Sequence, residues 1–318
     1  MSDVRLNGPR HAPAAGKMRR GKHADDTKVK KNLTPKEKVK AFLKEVLYVG
    51  GAFLILNSFV LASFEVPTGS MEDTVMTGDF LFVNKFIFGG TTPRTIPLTN
   101  IKIPHVSLPK LRSVHRGDVI VFVWPGMYNE LEPGETTYYL KRCIGQPGDT
   151  VRIVNKVVFV NGVQQAFPRY GKFDRPYTIP AGVRDERIFP PGAPFNEDTY
   201  GPVLVPKKGG TINLDGSNLE QWRIFIMREG HTVSASGGSI LVDGRPTTSY
   251  RIERDYVFAM GDNRDNSLDG RFWGFVPVDD IVGTPMIVYW SWNPDLPLVD
   301  IFVKLGSIQW GRVGTIIN

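Results

Sequence analysis

Between Glu45 and Glu65 the chain carries 19 consecutive residues without a formal charge, Val46 to Phe64, directly behind a tail that holds 13 Lys and Arg against 5 Asp and Glu. At about 1.5 Å per helical residue the run reaches roughly 28 Å, enough to cross the hydrocarbon core of a bilayer. Its basic flank should keep the N-terminus in the cytoplasm, so the sequence predicts one transmembrane helix over 46–64 and a body, 65–318, on the far side. A buried helix of a soluble protein competes with this reading, and Asn57, Ser58 and two glycines favour it. A cleaved signal peptide fits less well, because the apolar run is too long and its basic preamble far exceeds an ordinary n-region. The tail over 1–45 lacks apolar periodicity and has Lys/Arg runs at 17–22 and 28–31, which predicts disorder.

The formal net charge of +7 belongs to that tail, since the remainder holds 26 Lys and Arg against 27 Asp and Glu. A body so nearly neutral offers no basic groove, and nucleic acid is not an expected partner. Cys143 is the only cysteine, which excludes an intrachain disulfide and any multi-cysteine zinc site.

Beyond Glu65 the pattern is mostly of strands. Residues 79–88, 118–124, 137–144, 150–154 and 157–160 are rich in β-branched and aromatic side chains. Asn155-Lys156 and Asn161-Gly162 punctuate 150–165 into a meander of hairpins. Four prolines between 89 and 116 predict an irregular excursion, and few stretches look helical. Proline and glycine thicken from about 165 to 220, and strands resume near Ile224 and Ile240. The fold expected is therefore mostly β, with a first part over 65–164, an inserted second β domain over 165–249 and a closing part over 250–318.

Three segments are too specific to be scaffolding alone: PTGSMEDTVMTGDF (67–80), YYLKRCIGQPGDTV (138–151) and GDNRDNSLDGRFWGFVP (261–277). The last imitates the start of a calcium loop at Asp265-x-Ser267-x-Asp269-Gly270, but Val276 stands where the bidentate Glu belongs. The five histidines include no pair at helix-face spacing, so no metal is expected. His115 is the histidine nearest a motif, and a loop imidazole beside Arg116 is ordinarily just solvated. Serine with lysine remains. Ser70 sits in a Gly-Ser turn, and Lys141 lies in a strand whose alternation puts it on one face with Tyr139 and Cys143. Such a lysine either snorkels or, if held inside, loses its charge, because burial disfavours the ammonium. A neutral amine could then take the Ser70 proton.

These segments, with RGDVIVF at 116–122, resemble the conserved boxes of bacterial type I signal peptidases, in the same order along the chain. The resemblance implies a membrane-anchored endopeptidase that removes N-terminal signal peptides from exported preproteins through an acyl-enzyme, without a cofactor. It implies Ser70 as nucleophile, Lys141 as general base and Ser267 as the residue whose hydrogen bond orients the lysine amine. Thr68 falls where the family usually has a serine that supports the oxyanion hole, completed by the Ser70 backbone N–H. Arg142, Asp262, Asp269 and Arg271 match supporting ion pairs, and Phe64, Val66, Val121 and Leu140 match the wall of the substrate pocket. The family fold is an antiparallel β catalytic domain with an inserted β domain, in keeping with the strand-rich pattern. Many Gram-negative members carry two transmembrane segments, whereas one is read here. The location implied is the bacterial cytoplasmic membrane, single-pass, with the body outside. Signal peptides and membrane lipid are the partners, and the secretion machinery is a neighbour.

Two rivals remain at this level. A Ser-Lys self-cleaving repressor would be soluble and carry a DNA-binding region, which suits neither the apolar run nor the neutral body. A membrane-anchored β module binding an envelope partner would use the motifs only as turns. Convergence of Ser70 on Lys141 separates the enzyme from the module. Because Ser70 follows Phe64 by six residues, the site is expected at the bilayer surface, with Phe86, Ile87 and Phe88 or Trp290, Trp292 and Trp310 available for interfacial contact.

Overall fold

The computed structural model describes residues 34–89 and 108–317. The tail before Thr34, and Pro93, Pro97 and Pro104 of the expected excursion, lie outside the described residues. Residues 1–48 and 49–318 form two compact units, and the second holds every sheet.

Helix α1 runs Pro35–Phe59. Thr34 and Glu37 form a capping box: the Glu37 N–H donates to Thr34 Oγ1 at 3.4 Å and the Thr34 N–H to Glu37 Oε2 at 2.8 Å, with Pro35 in the first helical position. Two expectations are corrected here. Residues 35–45 are helical rather than part of a disordered tail, and the helix stops at Phe59 instead of Phe64. The reason for the early stop is β1 (Leu61–Glu65), whose backbone is committed to pairing with β2 (Asp79–Asn84), Phe64 opposite Leu81. The uncharged helical stretch thus shortens to Val46–Phe59, about 21 Å. Among the described residues no helix is long and apolar enough to cross a membrane.

The remaining strands are β3 (Val119–Val123), β4 (Tyr138–Gly145), β5 (Thr150–Val154), β6 (Val157–Val160), β7 (Val163–Gln164), β8 (Tyr200–Leu204), β9 (Thr211–Asn213), β10 (Val233–Ser236), β11 (Ser239–Val242), β12 (Arg245–Pro246), β13 (Ser249–Arg251), β14 (Tyr256–Met260), β15 (Val276–Pro277) and β16 (Ile281–Ser291). The other α-helices among the described residues are α2 (Leu219–Arg228), α3 (Gly270–Trp273) and α4 (Ile301–Gly306). A seven-stranded antiparallel sheet in the order β1-β2-β16-β3-β4-β14-β15 carries the three motif segments. The central place of β3, between β16 and β4, explains its unbroken apolar run VIVFV. Val119 and Val121 of β3 enter a core with Met71, Leu81 and Val288, while Ile120 and Phe122 enter another with Cys143, Ala259 and Trp273. A strand covered on both faces has no polar side to alternate.

The stretch expected as a separate β domain is joined to its surroundings. Strand β8 pairs with β5, so a boundary at 164/165 cuts through the four-stranded sheet β7-β6-β5-β8. Ile188, Tyr200, Ile226 and Ile240 share one core with Ile144, Val151, Phe258 and Phe272. Ile224, expected in a strand, lies in α2, because LEQWRIFIMR spaces Leu219 and Ile226 seven apart on one buried face with Glu220 and Arg223 outside. The expected strand over 79–88 ends at Asn84, and Phe86–Phe88 forms a 3-10 turn that buries Phe88. Phe88 is therefore core rather than available for interfacial contact.

Candidate active site

Ser70 stands in a 3-10 turn, Gly69–Met71, and the turn is pinned from both sides. Met71, 1% exposed, plugs the core beneath it. The Asn263 N–H donates to the Ser70 carbonyl at 3.1 Å, tying the turn to the GDNRDNS loop. Gly261 allows this approach, since a Cβ there would lie 2.5 Å from the Ser70 carbonyl and 2.2 Å from Ser267 Oγ.

Strand β4 delivers Lys141, 3% exposed, so that Nζ lies 2.6 Å from Ser70 Oγ and donates to the Leu140 carbonyl at 3.0 Å. Burial pushes the amine down to about 8, and the negative charges of Asp269 and Asp262 limit the fall. Among the described residues no carboxylate lies within ion-pair distance of Nζ, which leaves burial the stronger influence. The arrangement can pass a proton from a hydroxyl to a neutral amine, and the hydroxyl oxygen can then attack a carbonyl.

Around the pair, Arg142 forks onto Asp262 through Nε (2.8 Å) and Nη2 (2.7 Å), and the Thr74 hydroxyl donates to the same carboxylate at 2.6 Å. Arg271 forks onto Asp269 through Nε (2.9 Å) and Nη2 (2.8 Å), and the Gly261 N–H also donates to Asp269. Burial alone would raise the Asp269 carboxyl, but the Arg271 guanidinium and these hydrogen bonds hold it below the usual carboxylate range.

Thr68 is exposed, with Oγ1 3.5 Å from Ser70 Oγ, at the mouth of the site. Ser267 departs from expectation. Its hydroxyl is buried without a hydrogen-bond partner and packs against Gly261 instead of bonding the lysine amine. The amine meets Leu140 O and Ser70 Oγ in this structure.

Phe64, Val66, Val121 and Leu140 all line one cleft of about 410 Å³ with Ser70, Lys141 and Thr68. Tyr138, Asn266 and Leu268 line it too and were not singled out from sequence. Leu268 had a visible signal, an apolar residue inside an otherwise polar motif. Tyr138 packs edge-on against Phe64, ring centroids 5.2 Å apart, which narrows the wall. Thr74 was also missed, although it lies four residues after Ser70 in a quoted segment.

A family model described as signal peptidase, peptidase S26, matches residues 39–290. The chain is similar to the signal peptidase I of Pseudomonas aeruginosa strain PAO1, 29% identical over 96% of this chain and 92% of that protein. It is 29% identical to the signal peptidase I of Pseudomonas fluorescens, over 80% of this chain and 74% of that one. With the signal peptidase I of Helicobacter pylori strain 26695 the identity is 30%, covering 75% and 78%. A match whose span contains the serine turn, the lysine strand and the GDNRDNS loop settles the choice between enzyme and binding module: the chain belongs to the signal peptidase family, peptidase S26, and is a serine endopeptidase that removes signal peptides.

Proposed function

We propose that Ser70 is the nucleophile and Lys141 the general base of this peptidase, acting on exported preproteins through an acyl-enzyme. The observation that carries the reading is the buried amine, depressed to about 8, at 2.6 Å from Ser70 Oγ. Lys141 takes the hydroxyl proton as Oγ attacks, and the Ser70 N–H with the Thr68 hydroxyl holds the oxyanion. The ammonium so formed needs further acceptors, a part that the unpartnered Ser267 hydroxyl is suited to play. Collapse of the tetrahedral intermediate breaks the scissile C–N bond as the ammonium gives its proton to the leaving amine, and the neutral Lys141 so restored deprotonates the water that hydrolyses the ester.

Only the neutral amine serves, so activity should rise with pH. With the pKa at about 8, the neutral fraction is about one-hundredth at pH 6 and one-half at pH 8. The rate of peptide cleavage, followed from pH 5.5 to 9.5, should climb about tenfold per unit at the acid end and level off near pH 9. A maximum at pH 4–5 would assign the chemistry to carboxylates instead.

Substrate recognition is proposed to add an extended strand to the sheet. β1 ends the seven-stranded sheet, and β4 over Tyr138–Lys141 pairs with β3 but not with β14, which meets only Arg142–Gly145. Both unpaired edges border the cleft. Alternate substrate residues then face the wall of Phe64, Val66, Val121 and Leu140, so the residues one and three before the scissile bond must be small. In a peptide series varied separately at three positions, a large residue at either should cost about 1–3 kcal/mol in kcat/KM, and the middle one should be tolerant. Equal tolerance at all three would reject this wall as the selector.

We further propose that the enzyme sits on the cytoplasmic membrane, with the basic tail inside, lipid as a partner and the secretion machinery nearby. Support comes from the exposed apolar side chains Leu47, Tyr48, Val49 and Phe53 of α1 and, in the second unit, from Val299, Phe302 and Trp310. Trp290 and Trp292 are half-buried in the same C-terminal region. The single-pass topology is tested with sealed inside-out vesicles. Added protease should clip the tail and spare residues 65–318, and digestion of the body from that side would overturn it.

A further inference from the structure

A second cavity, about 520 Å³, lies beyond β4: Lys141 turns into the catalytic cleft, and the next residue, Arg142, lines this other space. Four cationic side chains border it, and three are already matched. Arg116 forks onto Asp149, Arg142 onto Asp262, and Lys156 Nζ meets Asp265 at 3.0 Å. Arg264 is the exception. It is 3% exposed, its Nε donates to the Gly261 carbonyl at 3.1 Å, and its guanidinium stacks 5.2 Å from the Phe167 ring. Among the described residues no carboxylate pairs with it, and its two terminal nitrogens have no protein acceptor.

A buried guanidinium without a counter-ion is costly. Burial, with repulsion from Arg271 and Arg142, pushes it down to about 10 against the pull of Asp262 and Asp269. Beside it the wall is apolar, built from Val157, Val158, Ala166 and the stacked rings of Phe167 and Phe173. One unmatched cation in an apolar chamber is complementary to one anionic head on an apolar body.

We propose that this cavity is a binding site for an apolar carboxylate, the carboxylate forking onto the Arg264 guanidinium and the apolar body lying along Val157 and Phe173. Two sources share that chemistry: a short acyl chain, and the C-terminus of an apolar peptide, which the reaction itself leaves on every cleaved signal peptide. Because Arg264 belongs to the loop whose Asn266 and Leu268 line the catalytic cleft, an occupant would touch the loop from its other side.

The test uses the full chain in detergent micelles, with empty micelles as blank, and ligand-observed NMR titration of hexanoate and of N-acetyl-alanyl-alanine, each beside its neutral amide. Saturable binding of either acid, at least about tenfold tighter than its amide, is expected, and whichever acid binds tighter names the source. Arg264→Gln should weaken it at least about tenfold. Val157→Glu, at an exposed position that does not line the catalytic cleft, should abolish it by supplying a carboxylate of its own while preprotein cleavage continues at the parent rate. This second variant decides the matter if Arg264→Gln does not fold. Acid and amide binding equally, inorganic phosphate binding as tightly as hexanoate, or binding that survives Val157→Glu, as it would if the acids sat in the catalytic cleft, would each overturn the proposal.

Discussion

Replacing Ser70 with Ala lowers kcat/KM for a preprotein by roughly 10⁴-fold or more, because the attacking atom is gone and only binding and oxyanion stabilisation remain. Lys141→Ala loses a comparable factor, and Lys141→Arg fails too, since a guanidinium keeps its proton at any working pH. The informative variant is Lys141→Met, which keeps volume and removes charge. The parent lysine titrates near 10.5 when unfolded and at about 8 in place, so below pH 8 the folded protein carries a destabilisation on the order of 3 kcal/mol. Between those two values the unfolded chain binds more protons, hence stability rises with pH there and the handicap is gone near pH 10.5. Lys141→Met should therefore be inactive and, at pH 7, melt at a higher temperature than the parent, with the gain shrinking above pH 8. An inactive variant that also melts lower would mean that Lys141 supports the fold and that its loss says nothing about catalysis.

Why Ser70 and Lys141 were legible from sequence, and Ser267's geometry was not, has a physical answer. Two residues that must meet leave composition marks when each is abnormal in its place: a lysine on an apolar strand face, and a serine flanked by Gly69 and an apolar plug, Met71. The hydroxyl direction of Ser267 depends on one χ1 angle and on the proximity of Gly261 from the same loop, which no spacing encodes. The clamp on Asp265 is less legible still. Its partners Lys156 and Arg175 lie 109 and 90 residues away, on segments with no pattern pointing to the loop. Errors in the helices are of another kind. Thr34-Pro35 and Glu37 spell out a capping box before the apolar run, but an uncharged run bounded by Glu45 places the expected start at Val46 instead. At the other end, Leu61–Phe64 is apolar enough for helix or strand, and only pairing with β2 decides.

The second large effect concerns the buried pair Asp269–Arg271, 0% and 2% exposed, which never touches substrate in the proposed mechanism. Asp269 also caps α3 and accepts the Gly261 N–H, so it holds the loop that carries Asn263 against the Ser70 turn. Asp269→Asn keeps the shape but strands the Arg271 guanidinium, whose remaining hydrogen bonds go to the carbonyls of Glu197 and Arg264. Leaving a charge buried and unmatched should cost about 3–5 kcal/mol, or roughly 6–20 °C in Tm for a domain of this size. The pair Arg187–Asp185, with an exposed arginine and a half-buried carboxylate, provides the contrast, since Arg187→Ala there should change stability by under about 1 kcal/mol. Removing the Asp269 charge acts on catalysis in a different direction. That charge raises the Lys141 pKa, so without it the amine loses its proton at lower pH and the acid limb of the rate profile should move below its parent position. Measured well below the lowered Tm, Asp269→Asn should thus keep a plateau rate and reach it earlier. A variant with unchanged Tm, or with a limb displaced toward higher pH, would show that Arg271 is compensated elsewhere and that the lysine does not feel this carboxylate. The double variant Asp269→Leu with Arg271→Met closes the argument: it removes both charges together and should recover part of the lost stability while keeping the downward shift of the limb.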